Sequence, residues 1–194
     1  MRTVMLSSKP LRALVHAVSK EQIRYYLGGV FVETDGRTVT YAATDGHILL
    51  ANQHDCEPVD EPLVGKWIIP ADICSDKRLK PAKRNPFDWI AFTENMTLAD
   101  MIVKPIDGTF PDWRRVVPTK VTGEVAQYNP ALLVKLQKAG EVFDHNIPSV
   151  GYNGDGPALV TWADTLFGVI MPMRRAAEAA LPLWFSPPSV AVAA

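Results

Sequence analysis

An acid and an imidazole two residues apart, Asp45 and His47 in "TDGH", are the best material in this sequence for acid–base chemistry. A second set, Asp100, Asp107 and Asp112 near Arg114, is the best material for holding a charged substrate. Neither set has a catalytic spacing, and the chain contains no phosphate-cradling glycine loop, no HExxH and no nucleophile elbow. Cys56 and Cys74 fall in no CxxC or Cys/His pattern, so no metal set is readable and no cofactor is expected. Without that context, T-D-G-H in a β protein is ordinarily a tight turn with a hydrogen-bonded histidine. The residues therefore point away from an enzyme. "IDGTFPDWRRVVP", residues 106–118, is an odd mixture for either a core strand or a solvent loop. Phe110 and Trp113 need burial, Arg114 and Arg115 need a charge partner or water, and Pro111 and Pro118 remove backbone donors. Such a segment reads as a connector with a job to do.

The elements that must position these residues are written three times. Residues 7–27, "SSKPLRALVHAVSKEQIRYYL", open with a serine and an early proline and space Leu11, Leu14, Val15 and Val18 as one helical face. "GVFVETDG" and "TVTYAATDGHILLANQ" follow as β runs joined at Asp35-Gly36, a dipeptide suited to a hairpin turn. After a polar linker the order returns. "WIIPADICSDKRL" reads as a strand entering a short helix, and "DWIAFTEN" with "MTLADMIVKPIDG" as a hairpin turning near Asn95. In the third round "EVAQYNPALLVKLQKAG" reads as strand then helix, with strands in "IPSVGYNGDGPALVTWAD" and "TLFGVIMPMR". The expected class is α+β, repeated helix plus β-hairpin units with helices on one face of antiparallel sheets. No such unit buries its own sheet face and helix stripe, so the copies must pack together, and three copies leave one without an internal partner.

Four segments, "IRYYLGGVFVETDG", "AATDGHILLANQ", "IDGTFPDWRRVVP" and "GVIMPMR", resemble in content and order the signature segments of the bacterial DNA sliding clamp, the beta subunit of DNA polymerase III. The resemblance implies the DNA-clamp fold: residues 1–118 as a complete clamp-type domain similar to the family's middle domain, and 119–174 as half a domain similar to the second half of its last. The first domain and the first half of the last are missing. A non-enzymatic processivity factor is implied, which encircles or binds duplex DNA and tethers DNA polymerase and clamp-loader subunits through short peptide motifs. The connector would then line a peptide pocket built from Arg24 and Leu27, from Thr44, Gly46, His47 and Leu49, and from Pro111, Arg115 and Val116. Val169, Ile170, Met171, Pro172, Met173 and Arg174 would complete it. Apolar walls and pliable methionines suit leucine and aromatic anchors. Where the family usually carries arginine after TDGH this chain has Ile48, which predicts a weaker polar rim.

For DNA, Lys9, Arg12, Lys20 and Arg24 flank the first helix, and Lys135 and Lys138 mark the third. "KRLKPAKR" adds Lys77, Arg78, Lys80, Lys83 and Arg84. Charges on inward-facing helices would attract phosphates without reading bases, whereas the same residues on an outer face are ordinary solvation. With a net charge of −1, only such patches supply affinity for nucleic acid. The 194 residues, 47% hydrophobic, suffice for one large domain or one and a half ordinary ones. Cysteine usage and the lack of a secretory or membrane-spanning stretch predict a reduced, soluble, cytoplasmic protein with no membrane partner. Twelve half-units in a family ring against three here predict a homo-oligomer, four chains closing a tetrameric ring; the alternative is a peptide-binding module that does not encircle DNA. In the tail, residues 175–194, "ALPLWF" resembles the peptides that clamps bind, with Leu181, Leu183 and Phe185 as anchors; the competing reading of the whole tail is a short amphipathic helix covering an exposed edge or a Pro/Ala tail.

Overall fold

Strict alternation of side chains builds the main sheet. The computed structural model describes residues 1–80, 88–145, 147–164 and 166–174; Lys83, Arg84 and the tail anchors Leu181, Leu183 and Phe185 lie outside them. In β2 (Gly29–Thr34), β3 (Thr38–Thr44) and β4 (Ile48–Asp55), Val30, Val32, Val39, Tyr41, Ala43, Ile48 and Leu50 enter one buried cluster. Phe31, Ala42, Leu49 and Ala51, the residues between them, enter a second cluster on the other face. A period of two does this without further instruction. Both faces of the sheet are thus covered, one by helices and the other by the connector.

The three units are visible. The first runs β1 (Thr3–Ser7), α1 (Ser8–Leu14), β2, β3 and β4; the second runs β5 (Gly65–Pro70), α2 (Ala71–Cys74), β6 (Trp89–Thr93), β7 (Thr97–Leu98) and β8 (Met101–Ile102). The third runs α3 (Pro130–Val142), β9 (Ser149–Gly151), β10 (Ala158–Trp162) and β11 (Leu166–Ile170). The first two exchange their leading strands. β5 leaves its own unit to pair with β2, and β1 leaves its own to pair with β6, giving sheets ordered β1-β6-β7-β8 and β5-β2-β3-β4-β11-β10-β9. Three-fold counting predicts a third unit without an internal partner, yet it has one: β11 zips onto β4 from Phe167↔Ala51 to Ile170↔Ile48, and α3 packs beside α1.

Three local expectations are corrected. The helix expected over 7–27 stops at Leu14 and tightens into a 3-10 turn over Val15–Ala17, after which Val18 is extended at ψ 148°. Ser19 explains the break: its hydroxyl accepts the Glu21 N–H at 3.1 Å while its own N–H bonds the Leu27 carbonyl at 2.9 Å, competition that short polar side chains offer to a helix. Thr3–Ser7, unforeseen, is a strand. The strand expected before the third helix is not formed: residues 121–128 are described and none of them is in a strand. The N-terminus of α1 is capped from the second unit, where Asp88 Oδ2 accepts from Ser8 Oγ at 3.0 Å and Lys9 N at 2.8 Å.

Candidate peptide groove and charged surface

The turn at residues 44–47 forms one lip of the site. Asp45 Oδ1 accepts the amides of His47 (2.9 Å) and Ile48 (3.0 Å), and Thr44 Oγ1 accepts the Gly46 N–H at 3.0 Å. Gly46 has φ +89°, a backbone conformation that favours glycine, and the Arg24 guanidinium lies close over it. The same turn recurs at Thr34-Asp35-Gly36 at the other end of β3, with Asp35 Oδ1 accepting from Arg37 and Thr38 at 2.8 Å each. What singles out the second copy is Lys135, whose Nζ stands 2.6 Å from Asp45 Oδ2 and ties the lip to α3. Burial pushes the Asp45 carboxyl up, but the Lys135 ammonium and the Ile48 and His47 amides outweigh it and hold the group below its ordinary range.

The connector forms the opposite wall. Phe110 stacks on Phe31 (centroids 4.9 Å apart, planes at 11°), and Trp113 faces Phe167 at 6.1 Å. The paired arginines divide: Arg114 lies over the Trp113 ring at 4.6 Å and bonds Glu33 at 2.9 Å, while Arg115 is left to solvent. Between lip and connector lies a cavity of about 190 Å³ over the β4–β11 seam, whose walls include Leu27, Thr44, Gly46, His47, Leu49, Pro111, Val116, Val169 and Met171. A wider trough of about 800 Å³ adjoins it, sharing Gly46, His47 and Met171 and adding Pro172, Met173 and Arg174. Residues from remote parts of the chain, such as Leu27 and Met171, therefore meet at one place, brought together by the seam.

Three expected pocket residues stand apart from these walls. Ile170 is fully buried on the helix side, because alternation along β11 sends Val169 outward and Ile170 inward; it is a core residue and not a wall. Arg24 and Arg115 are rim residues, Arg24 also pairing with Glu21 at 3.6 Å. Ile48 is among the residues lining the small cavity, yet it is 1% exposed and belongs with Ile170 to the helix-side cluster. Sequence reasoning missed Trp113, Asp112, Asn129, Leu132 and Asp155 as walls. Asn129 caps α3 by accepting the Ala131 N–H at 2.9 Å. Trp113 Nε1 is buried beside the cavity with no acceptor among the described residues.

The basic residues fall on and around the helices. Lys77, Lys80 and Lys138 are exposed, as is Lys20. Arg78 is clamped by Asp76 through two bonds of 2.9 and 3.0 Å, Lys9 lies 3.9 Å from Asp144, and the Lys135 charge is taken by Asp45. Arg12 closes α1. Among the described residues no cluster of three or more side chains suited to a metal occurs, and no helix is long and apolar enough to cross a membrane.

Strand exchange between repeated units, helices along one face and an apolar groove at a unit seam define the class: this is the sliding-clamp fold. In particular, the chain is similar to bacterial beta sliding clamps. It is 30% identical to that of Escherichia coli K12 over 115 residues, 56% of this chain and 30% of that protein. It is 35% identical to that of Caulobacter vibrioides NA1000 over 116 residues, 53% of this chain and 30% of that protein. Among solved structures, a C. crescentus beta sliding clamp superposes with a TM-score of 0.68 at 17% identity, covering 90% of this chain and 66% of that one. The Helicobacter pylori beta clamp bound to a DNA ligase peptide gives 0.64 at 10% identity, covering 88% and 65%. The chain thus spans under a third of the length of these curated relatives. No protein-family model matches it.

Proposed function

We propose that this chain acts as a sliding-clamp-like processivity factor of the cytoplasm, a non-catalytic one that holds to duplex DNA and tethers DNA polymerase, clamp-loader subunits or other replication proteins through short peptides seated in the groove. Residues 1–118 serve as a complete clamp-type domain and 119–174 as half of one, and copies of the chain assemble, four of them closing a ring. The observation that carries this reading is the groove at the β4–β11 seam, on the sheet face opposite the helices. An apolar cavity of about 150 Å³ holds a benzene-sized ring, so one of about 190 Å³ accepts a leucine or phenyl anchor. The wider trough alongside, flanked by Met171 and Met173 and edged by Arg174, runs on from it as a bed for the rest of an extended peptide.

Titration of a fluorescent peptide carrying leucine and aromatic anchors, read by anisotropy, tests the groove. Met171→Glu and Val116→Glu, at positions 39% and 48% exposed, should each weaken binding about tenfold or more with the fold intact. Unchanged affinity in both folded variants would overturn the assignment. The non-encircling alternative draws support from the groove being complete within one chain.

A further inference from the structure

A second hydrogen-bonded cluster, apart from the groove, crosses from one sheet to the other. The phenol of Tyr41, fully buried in β3, accepts the Ser7 N–H at the end of β1 at 2.9 Å and stands 2.9 Å from Nε2 of His54 on β4. His54 Nδ1 lies 2.8 Å from the Asp55 carbonyl oxygen, and its ring meets that of Trp89 on β6 edge-on at 4.8 Å. Ser7 and Trp89 are paired in the four-stranded sheet, whereas Tyr41 and His54 belong to the seven-stranded one. The half-buried imidazole is thus held by both.

The partners assign every proton in this relay. An amide N–H only donates and a carbonyl oxygen only accepts, so the phenol oxygen takes the Ser7 N–H and Nδ1 carries a hydrogen for Asp55. The phenol proton is left for Nε2, which accepts it through its lone pair, and the ring is neutral. Burial pushes the Tyr41 phenol up, so ionisation does not undo the arrangement. A proton taken from water at Nε2 does undo it, by making that atom a donor. The phenol proton then has no acceptor among the described residues, at a site that water does not reach.

Opposed forces act on the ring. Burial disfavours the cation and outweighs the Asp55 carbonyl and the carboxylates of Asp88, Asp55 and Glu57, which favour it, so His54 lies below its ordinary value of 6.5. Of the other charged or titratable groups on these elements, Arg37 ahead of β3 is exposed, the Lys9 ammonium on α1 stands 3.9 Å from Asp144, and Cys56 and Cys74 bear on the phenol. We propose that Ser7, Tyr41 and His54 form a pH-sensitive latch between the two sheets, shut while the imidazole is neutral and released when Nε2 binds a proton. Shut, it fixes the end of β1, and with it the start of α1, against β3 and β4. Released, the imidazolium turns toward solvent and its three acids, and that corner of the molecule loosens. The latch stands apart from the proposed function, since Tyr41 packs in the helix-side cluster and the groove lies on the other face. The folded chain binds this proton less readily than the unfolded one. The latch therefore contributes fully above 6.5 and is lost as pH falls from there through the lower folded value.

Nitrogen-15 NMR of the full chain with labelled histidines, His54 being assigned by its loss in His54→Gln, tests the latch. It should show the hydrogen on Nδ1 at neutral pH and a midpoint below 6.5. Exchange protection of the Ser7 amide, corrected for the intrinsic pH dependence of exchange, should fall about tenfold or more across that midpoint. His54→Gln, whose amide oxygen accepts from the phenol but takes no proton, should keep Ser7 protected throughout. Tyr41→Phe removes the donor to the neutral ring and should move the His54 midpoint upward by about half a unit or more, a shift that mere packing does not produce. A hydrogen on Nε2 at neutral pH, Ser7 protection indifferent to the His54 midpoint, an equal fall in His54→Gln, or an unmoved midpoint in folded Tyr41→Phe would overturn the proposal. Should Tyr41→Phe fail to fold, the parent chain and His54→Gln decide.

Discussion

Asp45 shows how one side chain can serve two distant segments. Its Oδ1 closes the turn and its Oδ2 meets Lys135, so the lip of the groove stays in register with α3. Replacing Asp45 by Asn keeps an acceptor for the two amides but abandons the ammonium, and it should cost about 1–3 kcal/mol in denaturant unfolding at neutral pH. The carboxyl lies below its ordinary value in the folded chain. Its contribution is therefore fully present above the unfolded value near 3.8 and disappears as pH falls through the lower folded one. Unfolding titrations carried from neutral pH to well below the ordinary carboxyl value of 3.8 should show this loss in the parent chain and not in Asp45→Asn. The turn itself was legible, because Thr-Asp-Gly has few other uses. Its partner was not, since Lys135 stands 90 residues away and reads equally well as a solvated helix charge.

At the scale of elements, periodicity was a sound guide where a stripe faced one neighbour and a poor one where the neighbour was foreign to the unit. The alternation of β2, β3 and β4 was readable because both faces are buried by period two. The end of α1 was decided by Ser19 and the Leu27 carbonyl, and β1 by a strand from another unit, neither of which a local window contains. The helix read in "EVAQYNPALLVKLQKAG" is α3, yet its fit was invisible: a Cβ on Gly140 would stand 2.4 Å from the His145 carbonyl oxygen and 2.3 Å from Trp162 Nε1. Gly140→Ala, favoured by helix propensity alone, should therefore destabilise the chain by about 1–3 kcal/mol through overpacking. A thermal melt decides between the two effects, a lower midpoint being expected.

For the molecule as a whole, four short segments sufficed to place the fold, since in order they mark both sides of one seam. The positions of the charges had to await the structure, because net charge says nothing of faces. If the exposed Lys77, Lys80 and Lys138 meet phosphates, replacing all three by Gln should lower duplex affinity alike for all sequences. The plot of log affinity against log salt should flatten by about 0.9 for each phosphate no longer neutralised. Run on nicked circular and on linear duplex, the same measurement separates a ring, retained on circles alone, from the module that does not encircle.

The groove has no floor of its own. Its base is the β4–β11 ladder, with Val169 opposite Leu49 and the Met171 amide on the His47 carbonyl, so the binding surface exists only while two edges from remote parts of the chain remain joined. Occupancy and joining are then one equilibrium seen from two sides. Each peptide bound withdraws chains from the parted state, by RT ln(1 + [L]/Kd), and anything that pries the edges apart expels the peptide without touching it. If a peptide does occupy the groove, as proposed, it would act as a rivet across the seven-stranded sheet, and the third unit would be most firmly attached while the peptide is bound.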